Sequence, residues 1–272
     1  QGRADEQGLV VVLRDVEARV VAEEDRRLLL AEAARNTEQL EVLRALGSPT
    51  ETRLAKVDGV TTDLFSTGGR VGASRGSGDL VDLSLLPDGR ALLLMVDASG
   101  EGITSLRDAW KVLFVCRAHM AAGAPLGEML TRAATTLQAE QGSPVASVAA
   151  VVLDSQTGHV QAAMGDHPPA LLVRASGTAE WLEAAGHGIG EEGAGSQSVA
   201  SGTLGPADSL LLFSDGVVDV GDDVVQGLAA LRSSAIALRL QPIEGLAQRT
   251  VEAVQAPSAD RAQATLLVAR LG

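Results

Sequence analysis

Aromatic residues are almost absent from this sequence, which has two Trp, three Phe and no Tyr among 272 residues. The hydrophobic core must therefore be built from aliphatic side chains, and the chain is long enough for one large domain or two small ones. A single cysteine, Cys116, excludes an intrachain disulfide framework and a zinc site built from cysteines, as is typical of a reducing compartment. We therefore expect a cytoplasmic protein.

Long apolar runs and basic residues are also scarce. No stretch of eighteen apolar residues occurs, so we expect no membrane span in this segment. With 22 Lys and Arg against 35 Asp and Glu, the formal net charge is -13. Nucleic acids and anionic lipid headgroups both recruit clustered Lys and Arg, so neither is an expected partner.

Residues 9–46 contain neither Pro nor Gly. Their apolar residues recur mostly at spacings of three, four or seven, which predicts an amphipathic helix of about ten turns. The sequence Gly-Ser-Pro-Thr at 47–50 ends the helix, so we separate residues 1–50 from a second domain, 51–272. The helix either packs on its own domain or forms a coiled coil or signalling linker. Its near-heptad spacing favours the second role and a homodimer.

From about Asp63 onward the pattern changes to short β signals joined by turn residues. Hairpins outnumber strand–helix–strand units, so we predict an α+β domain with largely antiparallel sheets. The predicted helices lie at about 103–122, 126–141, 224–240 and 243–254. The predicted strands lie at about 80–86, 91–96, 147–153, 159–164, 170–173, 197–202, 209–214 and 264–270.

Four segments place a carboxylate beside glycine at the end of a predicted strand. They are Gly78-Asp79, residues 97–102 (DASGEG), residues 165–169 (GDHPP) and residues 213–216 (FSDG). Any one Asp-Gly pair is most simply a turn, but together they offer the oxygen ligands that Mg²⁺ and Mn²⁺ prefer. Two such ions polarise a water molecule and neutralise a phosphoryl group, so the set favours metal-assisted hydrolysis.

Four longer stretches extend these segments: SGDLVDLSLLPDGRALLLMVDASGEG, SVAAVVLDSQTGHVQAAMGDHPPALLVR, LLLFSDGVVD and QATLLVARL. The first resembles the opening hairpin and Asp-Val-Ser-Gly-His-Gly turn of the SpoIIE/RsbU branch of PPM-type metal-dependent protein serine/threonine phosphatases. The second is similar to that family's central hairpin and Gly-His-Pro-Pro motif. The third and fourth are similar to its Thr-Asp-Gly-Val-Thr-Glu segment and its last strand. Their order and spacing make a strong signal over residues 78–270.

The resemblance implies an α-β-β-α sandwich of two largely antiparallel sheets flanked by helices, behind the long N-terminal helix. It implies two Mn²⁺ or Mg²⁺ ions at one end of the sandwich. Asp97 would bridge the ions, and the carbonyl of Ala98 would be a further ligand. Asp79 would bind directly or through water, and Asp215 would bind the second ion. The implied reaction is in-line attack of a metal-bound hydroxide on a phosphorylated signalling protein, such as an anti-sigma-factor antagonist.

This chain departs from the family at one metal ligand. Aligned on Thr265, the Asp that the family places before its last strand is Ala262, and the next Asp is Gln263. Ala262 has no side-chain oxygen, so we expect lower cation affinity. Glu101 also replaces the usual His of the first turn, and Ser77 replaces a Gly. Two functions therefore stay open: a weakened phosphatase, and a catalytically silent module that binds a partner and transmits a signal.

Two further residues attract attention but have simpler explanations. His167 precedes two prolines, and the resemblance implies a structural turn there rather than a catalytic base. Cys116 lies in an apolar helical run and is expected in the core.

Overall fold

Two antiparallel sheets form the centre of the computed structural model. The structure describes residues 53–57, 59–67, 79–100, 102–138, 143–196, 198–219, 223–255 and 264–272, all within the unit formed by residues 48–272. The predicted N-terminal helix and its dimer lie outside the described residues. So do Ser77, Glu101, Ala262 and Gln263.

The first sheet carries the last strand of the chain in its middle. Its strands are β1 (Arg53–Val57), β2 (Val60–Ser66), β7 (Ala170–Val173), β8 (Ala179–Leu182), β12 (Ser209–Phe213) and β13 (Thr265–Leu271). Within the described residues this sheet has the order β1-β2-β13-β12-β7-β8, and its pairings are antiparallel. Strands β7 and β12 are buried along their whole length, as expected when both faces of a sheet are covered.

The second sheet contains two hairpins and a later strand beside them. Its strands are β3 (Asp79–Leu85), β4 (Ala91–Ala98), β5 (Ala146–Leu153), β6 (His159–Gly165) and β11 (Ala200–Thr203), and a small separate pair is formed by β9 (Gly186–His187) and β10 (Gly195–Ser196). Its order is β11-β6-β5-β4-β3, with β3–β4 and β5–β6 as the two hairpins. The predicted turn between β3 and β4 contains Gly89 at φ 86°, a conformation that glycine adopts without steric cost.

Helices cover the outer face of each sheet. They are α1 (Gly102–Ala121), α2 (Leu126–Gln138), α3 (Val224–Leu238) and α4 (Leu246–Gln255). The first two pack on β3, β4 and β6, and the last two pack on β2, β7 and β13. This arrangement confirms the predicted α-β-β-α sandwich. None of these described helices combines the length and apolarity needed to cross a bilayer.

The core is aliphatic, as the composition predicts. Between the sheets, buried side chains such as Leu93, Met95 and Leu212 meet in one cluster. A second cluster fills the space between the first sheet and α3 and α4, where Phe213 packs beside Trp181 with ring centroids 6.0 Å apart. Cys116 is buried, as predicted.

Helix α3 lies unusually close to the segment that follows β12. A Cβ added at Gly227 would be 1.8 Å from the carbonyl oxygen of Val218, so only glycine fits there. Val218 caps a short 3₁₀ helix, η1, which spans Asp215–Val217. The helix therefore packs directly against the turn that carries Asp215.

The structure also corrects several predicted elements. The first sheet begins at Arg53, ten residues before Asp63, and β8 was not predicted. The strand predicted at 197–202 lies at Ala200–Thr203. Helix α4 begins at Leu246 rather than at about 243, because Asp63 of β2 accepts hydrogen bonds from the N–H groups of Gly245 and Ala247 and caps the helix there.

Candidate active site

Asp79 and Asp97 face each other across the hairpin of β3 and β4. Asp79 is the first residue of β3, Asp97 lies one residue before the end of β4, and the antiparallel register pairs their Cα atoms. Opposite residues of antiparallel strands point to the same face, with Cβ atoms about 5 Å apart. The hairpin therefore brings these two predicted metal ligands into contact.

Asp215 approaches this pair from the other sheet. It follows β12 by two residues and begins η1. Burial raises the pKa of both Asp79 and Asp97, and the negative charge of Asp215 raises both further. The three predicted aspartates therefore form one electrostatic cluster between the ends of the two sheets.

The carboxyl group of Asp97 is strongly disfavoured as an anion in the metal-free protein. Burial raises its pKa to about 7, and the charges of Asp79 and Asp215 and a hydrogen bond with Asp79 act in the same direction. The pKa of Asp79 is also raised by burial, although hydrogen bonds from Thr265 and Ser214 partly oppose that effect. By themselves, the paired carboxyl groups therefore retain a proton close to neutral pH.

Hydroxyl groups of the first sheet hold Asp79. The Oγ1 atom of Thr265 donates to Asp79 Oδ2 at 2.7 Å, and the side chain of Ser214 also hydrogen-bonds Asp79. Ser66 Oγ lies 3.0 Å from Thr265 Oγ1. No local pattern in the sequence marks Ser66, Ser214 or Thr265 as site residues, because each hydroxyl lies in an ordinary strand or turn.

A cavity of about 440 Å³ opens over the cluster. Its walls include the carboxylates Asp97, Asp166, Glu191 and Asp215, and the backbone of the 98–100 turn. A second cavity of about 600 Å³ shares Asp166, Asp215 and the adjoining turn with the first, and extends past residues 184–187. The site is therefore acidic and open enough to admit a peptide side chain.

The carbonyl oxygen of Ala98 has a partner that the sequence did not reveal. Ser105 of α1 donates to it through Oγ at 3.0 Å, and Ser105 is buried. Because a carbonyl oxygen has two lone pairs, this bond leaves one for the cation contact implied for Ala98. The Ser105 hydroxyl also ties α1 to the end of β4.

His167 lies in the turn between β6 and β7, next to both cavities. Its ring Nδ1 is 3.0 Å from the carbonyl oxygen of Pro168. Burial lowers its pKa to about 4, although that hydrogen bond and the charges of Asp215 and Asp166 oppose the shift. The imidazole is therefore neutral at physiological pH.

The chemistry of the donor set fits a hard divalent cation. The groups present are oxygen donors, which Mg²⁺ and Mn²⁺ prefer, and a cation would relieve the repulsion that raises the pKa of Asp97. Among the described residues, no three Asp, Glu, His or Cys side chains are grouped closely enough to hold a metal ion by themselves. A cation bound here would therefore also need water and backbone oxygens as ligands, which is usual for Mg²⁺.

Comparison with known proteins agrees with the motifs and the geometry. The family described as Stage II sporulation protein E (SpoIIE) matches residues 87–271. The chain belongs to the SpoIIE family. Its fold is that of the PP2C and serine/threonine phosphatase structures that it matches.

Three solved structures illustrate the shared fold. The RsbU and RsbW domains of a Mycobacterium tuberculosis protein match at 24% identity and a TM-score of 0.69, over 82% of this chain. This chain spans 63% of the length of that protein's chain. The PP2C domain of Bacillus subtilis SpoIIE, with a fragment of its regulatory domain, matches at 13% identity and a TM-score of 0.61, over 99% of this chain and 96% of that one.

RsbX, solved in complex with magnesium, matches at 12% identity and a TM-score of 0.59, over 82% of this chain and 100% of that one. At these identities the three structures establish the fold.

Proposed function

We propose that this domain is a Mn²⁺- or Mg²⁺-dependent phosphatase that removes phosphate from serine or threonine of a signalling protein. The observation that carries the proposal is the contact between Asp79 and Asp97 on facing strands, with Asp215 of the other sheet near enough for its charge to act on both. Asp97 and Asp215 also line the cavity above them. A substrate in that cavity would therefore lie beside the carboxylates proposed to hold the metal.

The charge of the cavity supports a requirement for cations. A phosphoserine carries between one and two negative charges at neutral pH. Among the described residues that line the two cavities, none is Lys or Arg, whereas four in the first cavity are Asp or Glu. A phosphate group would be repelled there unless divalent cations changed the sign of the local charge.

The proposed metal ligands are the side chains of Asp79, Asp97 and Asp215 and the carbonyl oxygen of Ala98. When bound, divalent ions supply polarisation of a water molecule and neutralisation of the phosphoryl group. The chain itself orients the carboxylates through its hairpin register and hydroxyl contacts. It also confines the substrate between the 98–100 turn and the His167 turn.

His167 is not assigned proton transfer in this proposal. Its neutral, buried ring meets the carbonyl of its neighbour Pro168, so it shapes the wall of the cavity. Glu191, which also lines the first cavity, accepts a hydrogen bond from the N–H of Gly188 at 3.0 Å.

We further propose that the substrate is a phosphorylated signalling protein, such as an anti-sigma-factor antagonist. The support is the likeness to RsbU domains that occur together with RsbW, and to a structure from the bacterial stressosome, at 20% identity and a TM-score of 0.57. The acidic cavity would accept the phosphorylated side chain only with its cations in place.

Phosphate release from a phosphoserine peptide tests the proposal. We expect activity with Mn²⁺ or Mg²⁺, loss of activity with a chelator, and loss in Asp215→Asn. Asp154→Asn is the matched control, because Asp154 lies in the exposed turn between β5 and β6. Equal activity of wild type and Asp215→Asn would show that the site is elsewhere.

A catalytically silent signalling module is the second candidate function. Ala262, at the position of a family ligand, is the observation that favours it. Wild-type protein that binds a phosphorylated partner but releases no phosphate at saturating Mn²⁺ would establish this alternative. Turnover in the same assay would eliminate it.

A further inference from the structure

The carboxylate of Asp79 is held by hydroxyl groups that belong to the opposite sheet. Asp79 lies on β3 of the second sheet, whereas Thr265 begins β13 of the first sheet and donates to Asp79 Oδ2 at 2.7 Å. Ser214, directly after β12, also hydrogen-bonds the same carboxylate. Two strands of one sheet therefore fix a proposed metal ligand carried by the other.

The direction of the hydrogen bonds follows from the number of protons. The Thr265 hydroxyl has one proton and donates it to Asp79 Oδ2, which only accepts when the carboxylate is ionised to bind a cation. The 3.0 Å contact between Thr265 Oγ1 and Ser66 Oγ must then use the proton of Ser66. The result is a directed chain from Ser66 through Thr265 to Asp79.

Backbone hydrogen bonds and strand pairing hold these hydroxyl groups in fixed positions. Ser214 Oγ accepts from the N–H of Thr265 at 3.0 Å, and the N–H of Ser214 donates to the carbonyl oxygen of Thr265 at 2.9 Å. Ser66 and Thr265 are register partners of β2 and β13. Ser66, Ser214 and Thr265 are at most 6% exposed, so water does not compete for these bonds.

We infer that Thr265, supported by Ser66, is a positioning residue that sets the orientation of the Asp79 carboxylate for the cation. This inference rests on the proposed function, because it assigns Asp79 to the metal site. A carboxylate with two fixed hydroxyl donors loses little further freedom when a cation binds. Removing the Thr265 hydroxyl leaves Asp79 with one fewer fixed donor, so its carboxylate is oriented less tightly for the cation and the site is weakened.

Calorimetric titration with Mn²⁺ tests the inference with three variants. Thr265→Val keeps the shape and removes the hydroxyl, and we expect about tenfold weaker affinity, in the range reported for residues that orient metal ligands. Thr265→Ser keeps the hydroxyl and should stay within about threefold of wild type. Thr250→Val is the matched control, because Thr250 is also buried but its hydroxyl donates to Leu246 within α4. Its affinity should be unchanged.

The outcomes separate this inference from the proposed function. If Thr265→Val binds Mn²⁺ as tightly as wild type, the positioning role is wrong, while phosphate release by the wild type would still support the phosphatase. If all variants lose affinity in proportion to their loss of thermal stability, including Thr250→Val, the effect is general destabilisation and the inference also fails.

A double-mutant cycle checks the contact without metal. Thr265→Val should lower the urea midpoint of the wild type clearly, and lower it less in an Asp79→Ala background, because the carboxylate partner is then already missing. If Thr265→Val lowers the urea midpoint equally in the wild type and in Asp79→Ala, the inference is overturned, even if the wild type binds no Mn²⁺.

Discussion

Replacing Asp97 with Asn should stabilise the metal-free protein above neutral pH while abolishing its response to Mn²⁺. In the folded chain, burial and the charges of Asp79 and Asp215 raise the pKa of Asp97 from 3.8 to about 7. The folded state therefore binds this proton more tightly than the unfolded state. The free energy of unfolding is therefore highest at low pH, where Asp97 is protonated, and it falls as the pH rises from about 4 to about 7.

The size of this loss of stability follows from the difference between the pKa of Asp97 in the unfolded and folded states. Each pH unit between the unfolded and folded pKa corresponds to about 1.4 kcal/mol, so the ionised Asp97 destabilises the metal-free fold by at most about 4 kcal/mol. Asparagine has a similar shape and carries no charge, so the variant should not show this loss. Mn²⁺ at a hundred times its Kd should stabilise the wild type by about 2.7 kcal/mol and the variant far less.

Urea unfolding, followed by the fluorescence of Trp110 and Trp181, measures both effects. Titrations with a chelator at about pH 5 and about pH 8 give the pH dependence, and titrations with added Mn²⁺ give the metal response. At pH 8 with chelator, Asp97→Asn should be more stable than wild type. The same samples should release no phosphate from a phosphopeptide.

Asp208→Asn is a control for which the expected change in stability at pH 8 has the opposite sign to that of Asp97→Asn. Burial of Asp208 would raise its pKa, but the N–H groups of Ala175 and Gly205 and the guanidinium of Arg174 outweigh burial and lower it. Asp208 therefore stabilises the fold above pH 3.8, and its replacement should destabilise the protein at pH 8. If Asp97→Asn loses stability at pH 8 as Asp208→Asn does, the repulsion argued for the cluster is refuted.

Three further predictions address other parts of the chain. Ala262→Asp should tighten Mn²⁺ binding and raise activity at limiting metal, measured by calorimetry; unchanged affinity would mean that the ligand comes from elsewhere. Asp63→Ala should destabilise the fold by about 2 kcal/mol in urea, because two N–H groups at the start of α4 lose their acceptor, and Asp63→Asn should lose less; equal losses would argue against the cap. Removal of residues 1–46 should convert a dimer to a monomer in light scattering, and a monomeric full chain would mean that the helix packs on its own domain.

The sequence by itself determined the family and the sandwich, and it predicted the three aspartates as metal ligands. These features depend on local patterns, because apolar runs define strands and Asp beside Gly defines the turns at their ends. The hairpin of β3 and β4 follows from Pro87-Asp88-Gly89, and its register then brings Asp79 to Asp97.

Only the tertiary structure decided which polar groups hold those aspartates and helices in place. Ser66 and Thr265 are 199 residues apart in the chain, and they meet because β2 pairs with β13. Asp63 caps α4 from 184 residues away, which moves the start of that helix. A hydroxyl or carboxylate acquires such a partner only when distant strands and helices pack together, and no local pattern of residues encodes that choice.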